Sequence, residues 1–267
     1  STTKAHFSFY TPSSLSSYYI SLNTRLPILS DKKVRRAFAH AIDVDELIKN
    51  VFIGFGTRCA TPLHPSSAEY NADLKPITFS IEKAKKLLAE AGWSDTDKDG
   101  ILDKKLGGKK TALSVKYLAN ASKASSMTLA ELIKSNARKA GIDVVIDAKD
   151  ANTLLDKLRS REFEMISAGR SITPQWSPSQ NWRTDADNRS GFGNEKTDEW
   201  IDALEREPNQ SKRWVISKKL QAEIYEEQPE IMLFCPQERL VIHKRFEAVS
   251  TAVWPGFHPV AFKLIKD

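Results

Sequence analysis

Three short segments, "ALSVKYLAN" (112–120), "IDVVIDA" (142–148) and "FEMISAG" (163–169), decide the fold of this 267-residue chain. Each has the apolar pattern of a β-strand, and the two intervals between them have helical periodicity, over 125–140 and over "NTLLDKLRS" (152–160). Strand, helix, strand, helix and strand at these lengths favour right-handed crossovers and parallel pairing. The sequence therefore predicts an α/β lobe.

Three further helices are predicted on the N-terminal side of these strands. "SDKKVRRAFAHAID" (30–43) starts at a Ser30 or Asp31 cap, and Asp43 with Glu46 forms a capping box for the next helix. The third helix begins at Ser80 and ends before Gly92. Between the second and third, the Gly- and Pro-rich "GFGTRCATPLHPSS" (54–67) is predicted to be an irregular loop.

Composition excludes several classes of protein. The net charge is +6, but basic and acidic residues are interleaved, which is typical of a solvated surface, so we expect no nucleic-acid partner. The sequence has no apolar run near 18 residues, and we expect any export signal to lie outside this chain. Cys59 and Cys235 stand in no metal or redox motif, and both a disulfide and two separate buried thiols remain open.

No catalytic motif is present in the sequence. It contains no GxSxG, HExxH, P-loop or GxGxxG pattern, and its five histidines have no paired spacing that would suit a metal site. No nucleophile has a base at a readable distance along the chain. We therefore expect a protein that is not an enzyme and that requires no cofactor.

The stretch "WSDTDKDGILD" (93–103) has the opening pattern of an EF-hand calcium loop. In that pattern Gly100 makes the sharp turn, and Leu106 replaces the final bidentate glutamate, so calcium affinity should be weak. The alternative is a plain turn between the third helix and the strand at 112–120. The candidate calcium ligands are Asp95, Asp97, Asp99, the Ile101 carbonyl and Asp103.

The order of these motifs resembles a known family. Four stretches are similar to the C-terminal half of family 5 extracellular solute-binding proteins, the peptide and nickel receptors of ABC importers. They are "YYISLNTRLPILSDKKVRRAFAHAIDVDELIKNVFIGFG" (18–56), "YNADLKPITFSIEKAKKLLAEAGWSDTDKDGILD" (70–103), "SREFEMISAG" (160–169) and "QAEIYEEQPEIMLF" (221–234). The resemblance implies a periplasmic-binding-protein-like lobe, with a mixed sheet and helices on both faces.

The resemblance also implies a domain organisation and a function. We expect residues 1–235 to form the C-terminal lobe, and 236–267 to return toward an N-terminal lobe that this chain lacks. The protein would capture a peptide or small polar ligand for an ABC permease. It would act as a monomer in the periplasm or as a cell-surface lipoprotein. An extracellular calcium-stabilised interaction module is the alternative.

A ligand site follows from the family pattern after the strand at 163–169. Oligopeptide-binding members have a tryptophan after the equivalent of Gly169 and, three residues later, an aspartate that pairs with the peptide's amino group. This chain has Arg170 and Thr173 there, which favours an acidic or polar ligand group. Trp176 and Trp182 would stack on the ligand, or would only anchor the loop; Arg170 would bind the ligand, or would pair with an acid such as Asp185 or Asp187.

Overall fold

The structure of the protein is a computed structural model that describes residues 6–172, 177–186, 188–247, 250–251 and 257–265. Its centre is a six-stranded sheet with the order β3-β9-β2-β8-β6-β7. The strands of this sheet are β2 (Ser16–Leu22), β3 (Gly56–Arg58), β6 (Ser114–Asn120), β7 (Asp143–Lys149), β8 (Met165–Ser171) and β9 (Glu230–Pro236).

The sheet is mixed. β6 runs parallel to β7 and to β8, as the strand and helix alternation predicts. β2 pairs antiparallel with both β8 and β9, and β3 pairs antiparallel with β9. Consequently β6, β7, β8 and β9 end at one edge of the sheet, where β2 and β3 begin.

Eight helices accompany the sheet in the described ranges. Their bounds are α1 (Lys32–His40), α2 (Val44–Asn50), α3 (Ile81–Glu90), α4 (Ala124–Lys139), α5 (Ala151–Ser160), α6 (Ser179–Trp182), α7 (Glu195–Arg206) and α8 (Gln210–Glu227). The predicted caps at Asp31, Asp43 and Ser80 are confirmed, because these side chains accept hydrogen bonds from backbone N–H groups of the first turns, while the reciprocal Glu46 bond of the predicted capping box stays a prediction. None of these helices combines the length and the apolar character needed to cross a membrane.

Helices cover both faces of the sheet, which confirms the predicted fold class. Alternation along β6 directs Val115 and Tyr117 into the large core that contains α1, α3 and α4. Leu118 points the other way and joins Phe163 and Ile166 in a smaller cluster against α5. A third core, between α6, α7 and α8, contains Trp182, Phe192, Ile201, Leu204, Leu220 and Ile224.

The segments outside the central sheet form small ribbons. β1 (Phe7–Tyr10) pairs with β10 (Leu240–His243), and β11 (Phe246–Glu247) pairs with β12 (Lys263–Leu264). The division at residue 235 and the return of 236–267 toward another lobe stay predictions.

Two regions differ from the sequence-based prediction. The stretch 54–67 is not wholly irregular, because its residues 56–58 pair with β9 as the edge strand β3. The aspartate loop also does not lead directly to β6. A hairpin of β4 (Asp103–Leu106) and β5 (Lys109–Ala112) intervenes, and its turn residues Gly107 and Gly108 have φ of 56° and 82°, the positive values that two-residue hairpin turns require.

Candidate functional site

A cavity of about 650 Å³ opens at the edge of the sheet where β8 and β9 end and β2 begins. Ligands of α/β proteins bind outside the carboxyl ends of the strands, so this edge is the expected position for a site. Segments remote in sequence contribute to its lining, which includes Ser14, Ser16, Tyr18, Phe52, Phe55, Lys123, Gly169, Ser171, Pro236, Glu238 and Arg239.

Packed aromatic rings form one wall of the cavity. Tyr18 stacks on the buried Phe234 with ring centroids 5.4 Å apart, and Phe52 lies 4.5 Å from Phe234 in a tilted arrangement. Gly56 permits this packing, because a Cβ atom there would lie 2.7 Å from the Phe234 ring. The wall therefore offers apolar surface whose position is set by the core.

The charged groups at the cavity come mainly from two loops. Lys123 precedes α4, and Arg239 follows β9 with its guanidinium carbon 5.2 Å from the centre of the Phe55 ring. Glu238 contributes a single carboxylate nearby. Lysine and arginine are suited to carboxylate and phosphate groups, and serine hydroxyls can bond to either donors or acceptors. The cavity thus combines apolar surface, hydroxyls and a small excess of positive charge.

A second cavity of about 200 Å³ continues from the first along β6 and β8. The two share Tyr18, Phe52, Lys123, Ser125 and Gly169 in their lining. Together they form a groove at one edge of the sheet, lined by residues of β2, β6, β8 and β9.

Arg170 borders this groove, but its charge is already paired. Its Nη2 atom lies 2.6 Å from Oε1 of Glu230, and the two side chains are 7% and 4% exposed. Its guanidinium carbon lies 4.0 Å from the centre of the Tyr19 ring and 5.2 Å from that of Trp182. Burial is the largest single influence and lowers the pKa of Arg170, but Glu230 and Tyr19 together outweigh it and raise that pKa above its ordinary value.

The alternative role of Arg170, an ion pair with an acidic side chain, is the arrangement that the structure shows. The partner is Glu230 on β9, whereas Asp185 pairs with Arg183 at 2.7 Å, and Asp187 lies outside the described residues. No sequence pattern near Arg170 predicts Glu230 as its partner. The two residues are 60 positions apart in the chain, and they meet only because their strands flank β2 in the sheet. Contact between Arg170 and a ligand stays a prediction.

Trp182 does not line the groove, although its ring lies next to Arg170. Its side chain is 2% exposed and packs in the core between α6, α7 and α8, next to a separate cavity of about 360 Å³. This position corresponds to the alternative in which Trp182 anchors the long loop after β8, and stacking on a ligand stays a prediction. The other two predicted contacts, Thr173 and Trp176, lie outside the described residues.

The predicted calcium loop brings Asp95, Asp97 and Asp99 together, with carboxylate oxygens within 4.8 Å of one another. Asp95 accepts a hydrogen bond from the Gly100 N–H at 3.0 Å, and Asp99 accepts one from the Ile101 N–H at 2.7 Å. Such bonds stabilise a turn without a metal ion.

A lysine supplies positive charge at this loop. Lys110 Nζ lies 2.7 Å from Asp97 Oδ2 and 3.4 Å from Asp103 Oδ2, and its hydrogen bond holds the pKa of Asp97 below the ordinary value. Asp103 is buried and accepts hydrogen bonds from the backbone and hydroxyl of Thr96. Calcium binding by these residues and by the Ile101 carbonyl stays a prediction.

Comparison with known proteins places the chain in a family. The profile of the bacterial extracellular solute-binding proteins, family 5 Middle, matches residues 2–192. The oligopeptide-binding protein AppA of Bacillus subtilis (strain 168) is 32% identical over 163 residues, which are 60% of this chain and 29% of AppA. The dipeptide-binding protein of Escherichia coli (strain K12) is 30% identical over 153 residues, which are 57% of this chain and 26% of that protein.

Solved structures show the same fold. AppA from Bacillus subtilis in complex with a nonapeptide has a TM-score of 0.83 at 24% identity, covering 98% of this chain and 53% of AppA. NikA from Brucella suis in complex with Fe(III)-EDTA has a TM-score of 0.82 at 22% identity, with 98% and 53% covered. The chain thus spans about half the length of these structures. From its sequence match and its fold, the chain belongs to the family 5 bacterial extracellular solute-binding proteins.

Proposed function

We propose that this chain is the ligand-binding lobe of the substrate-capture component of an ABC importer. The component would bind its solute outside the cytoplasm. The groove at the carboxyl ends of β8 and β9 carries this proposal, because it combines a packed aromatic wall with cations at its rim. A peptide or a related polar solute suits such a surface, since aromatic rings contact its apolar parts and polar groups fix its orientation.

An acidic group of the ligand would bind through Lys123 and Arg239. The charge of Arg170 is balanced by Glu230 in a buried pair, so it contributes little net attraction to an incoming anion. Lys123 and Arg239 lie at the groove in two different loops, so both place positive charge where a ligand carboxylate would bind. The relatives that bind an oligopeptide or a dipeptide support a peptide as the solute.

The groove forms one side of a binding cleft in this proposal. The chain spans about half the length of the matched structures, and a second lobe would close over the ligand by hinge motion. Without that enclosure we expect no measurable peptide affinity. The whole protein would act as a monomer in the periplasm or as a cell-surface lipoprotein, deliver solute to an ABC permease and catalyse no reaction.

The calcium-stabilised interaction module finds no support in the family match. The aspartate loop lies between α3 and β4, away from the groove residues. Calcium, if bound, would stabilise this turn.

Native mass spectrometry of the full-length protein, purified without refolding, tests the proposal. We expect a retained peptide or polar solute, which dissociates on denaturation. Titration with one peptide carrying a free or an amidated carboxyl terminus then tests the charge assignment, with about tenfold tighter binding expected for the free acid.

Matched variants make this test specific. Lys123→Ala and Arg239→Ala should weaken binding of the free-acid peptide and reduce the difference in affinity between the acid and the amide. Lys116→Ala is the control and should change neither, because Lys116 is exposed toward the other end of β6. Equal binding of acid and amide would overturn the charge assignment, and failure to bind or retain any solute would overturn the proposed function.

A further inference from the structure

Strand pairing brings together Cys59 and Cys235, which are far apart in the sequence. Thr57 of β3 lies directly opposite Cys235 of β9 in the antiparallel register. Cys59 is two residues beyond Thr57, so by the alternation of an extended chain it lies on the same face of the sheet. It also follows Arg58, the last residue of β3.

The two side chains share one apolar cluster. Cys59 and Cys235 are 1% and 0% exposed, and they pack together with Tyr19 and Met232. Contact with the Cys235 thiol, together with burial, raises the pKa of the Cys59 thiol well above its ordinary value. A thiol that stays protonated is a poor nucleophile, so the folded, reduced pair should react slowly.

The arrangement is compatible with a covalent bond after a small movement. Diagonal neighbours on antiparallel strands lie about 7–8 Å apart, slightly beyond the usual Cα separation of bridged cysteines. Cys59 is outside the paired residues of β3, so its backbone can approach β9 without breaking the hydrogen bonds of that ladder. The two thiols already lie within hydrogen-bonding reach of each other.

We propose that Cys59 and Cys235 form an intramolecular disulfide, introduced while the chain folds in an oxidising compartment. The family is extracellular, and disulfides form and persist outside the bacterial cytoplasm. The oxidant is a disulfide, either of a thiol oxidoreductase or of oxidised glutathione. One cysteine thiolate attacks it and releases one thiol, and the second cysteine then attacks the mixed disulfide and releases the other.

The bond would stiffen a wall of the groove. β9 ends at Pro236, and the residues that follow it, including Glu238 and Arg239, line the groove. Phe55, which immediately precedes β3, also lines the groove. A link between Cys59 and β9 would hold these two segments together without contacting the ligand.

A peptide map of the full-length protein tests this proposal. The protein is refolded either with oxidised and reduced glutathione or with dithiothreitol, alkylated in denaturant and digested with trypsin. Cys59 is then in peptide 59–83 and Cys235 in peptide 220–239. We expect the two peptides linked in the oxidised sample and separately alkylated in the reduced one, with Tm at least about 5 °C higher after oxidation.

Cys59→Ser and Cys235→Ser variants are the controls. Both should lack the linked peptide, and their Tm should not depend on glutathione. Separately alkylated peptides from oxidised wild-type protein with a native circular dichroism spectrum would overturn the proposal, as would linkage of either cysteine to another chain. The comparison of oxidised with reduced wild-type protein shows whether the disulfide forms, even if a variant does not fold. A linked peptide without a rise in Tm would support the bond and contradict the stiffening of the wall.

Discussion

Arg170 and Glu230 form a buried ion pair that crosses the central strand of the sheet. Arg170 is on β8 and Glu230 on β9, and β2 lies between these strands with Tyr19 beneath the guanidinium. Because both side chains are more than nine-tenths buried, each charge depends on the other for its electrostatic compensation.

Removal of one charge should therefore be costly. We expect Glu230→Gln to lower the free energy of unfolding by about 3–5 kcal/mol, because a buried guanidinium then lacks its anion. The double variant Arg170→Leu, Glu230→Leu should be much closer to wild type, since no buried charge remains. Urea unfolding measures both. A loss below about 1 kcal/mol in Glu230→Gln would contradict the burial of this pair.

Gly56 should tolerate no side chain. In Gly56→Ala the new Cβ would lie 2.7 Å from the Phe234 ring, which is itself held between Tyr18 and Phe52. We expect a loss of about 1–3 kcal/mol in unfolding free energy from overpacking. Gly169→Ala is the matched control, because the nearest atom would be 3.7 Å away. Equal unfolding free energies for the two variants would show that the ring moves aside freely.

The aspartate loop should respond to calcium only weakly. We expect the Tm of the wild-type protein to rise only at calcium concentrations of roughly 10⁻⁴ to 10⁻³ M or above. In Lys110→Met the calcium-dependent rise should be larger, because the ammonium that competes at Asp97 and Asp103 is gone. Differential scanning fluorimetry with calcium, and with magnesium as the control ion, measures this. An unchanged Tm in both proteins at 10 mM calcium, about ten times the weaker limit, would exclude the site.

His40 should make the protein less stable in mild acid. Burial lowers the pKa of His40 below its ordinary value of 6.5, and the nearby cations Lys83 and Arg36 lower it further, while the hydrogen bond to the Thr78 carbonyl opposes this. The unfolded chain therefore binds this proton more readily. The contribution of His40 is present above about pH 6.5 and is lost as the pH falls through the lower folded-state pKa.

A variant isolates this effect from the carboxylates. His40→Gln should show a smaller loss of unfolding free energy between pH 7 and pH 5, two values that bracket the ordinary histidine pKa of about 6.5. Urea titrations of both proteins across that range measure the difference. Parallel pH profiles for the two proteins would contradict this role of His40.

The local elements were predictable because their signals lie within short windows of sequence. The caps at Asp31, Asp43 and Ser80 follow from side chains placed a few residues before the N–H groups they bind. The parallel direction of β6, β7 and β8 follows from strand and helix lengths. In contrast, β3 was missed, because "GTR" has no strand pattern and is extended only through pairing with β9.

The candidate site was harder to predict for the same reason. The family pattern directed attention to Arg170 and Trp182, which follow one strand closely in sequence. Lys123 and Arg239 were not singled out, because each is an ordinary charged residue in its own loop. They become neighbours of one groove only where separate strands end together at the sheet edge.

In the aspartate loop, too, local geometry was predictable from the sequence and a long-range contact was not. The spacing of Asp95, Asp97 and Asp99 was enough to predict that their carboxylates converge, because that geometry is local. Lys110 belongs to β5, and only the folding of the β4–β5 hairpin brings its ammonium against Asp97 and Asp103.

By itself, the sequence determined the fold class and the helix caps at Asp31, Asp43 and Ser80, since these depend on periodicity and on interactions over a few residues, and its motifs carried the resemblance to the family. Only the tertiary structure decided that Glu230 neutralises Arg170, that Trp182 lies in a core, and that Cys59 meets Cys235. The physical reason is the sheet, whose pairing juxtaposes residues from distant segments according to register, and no local pattern encodes that register.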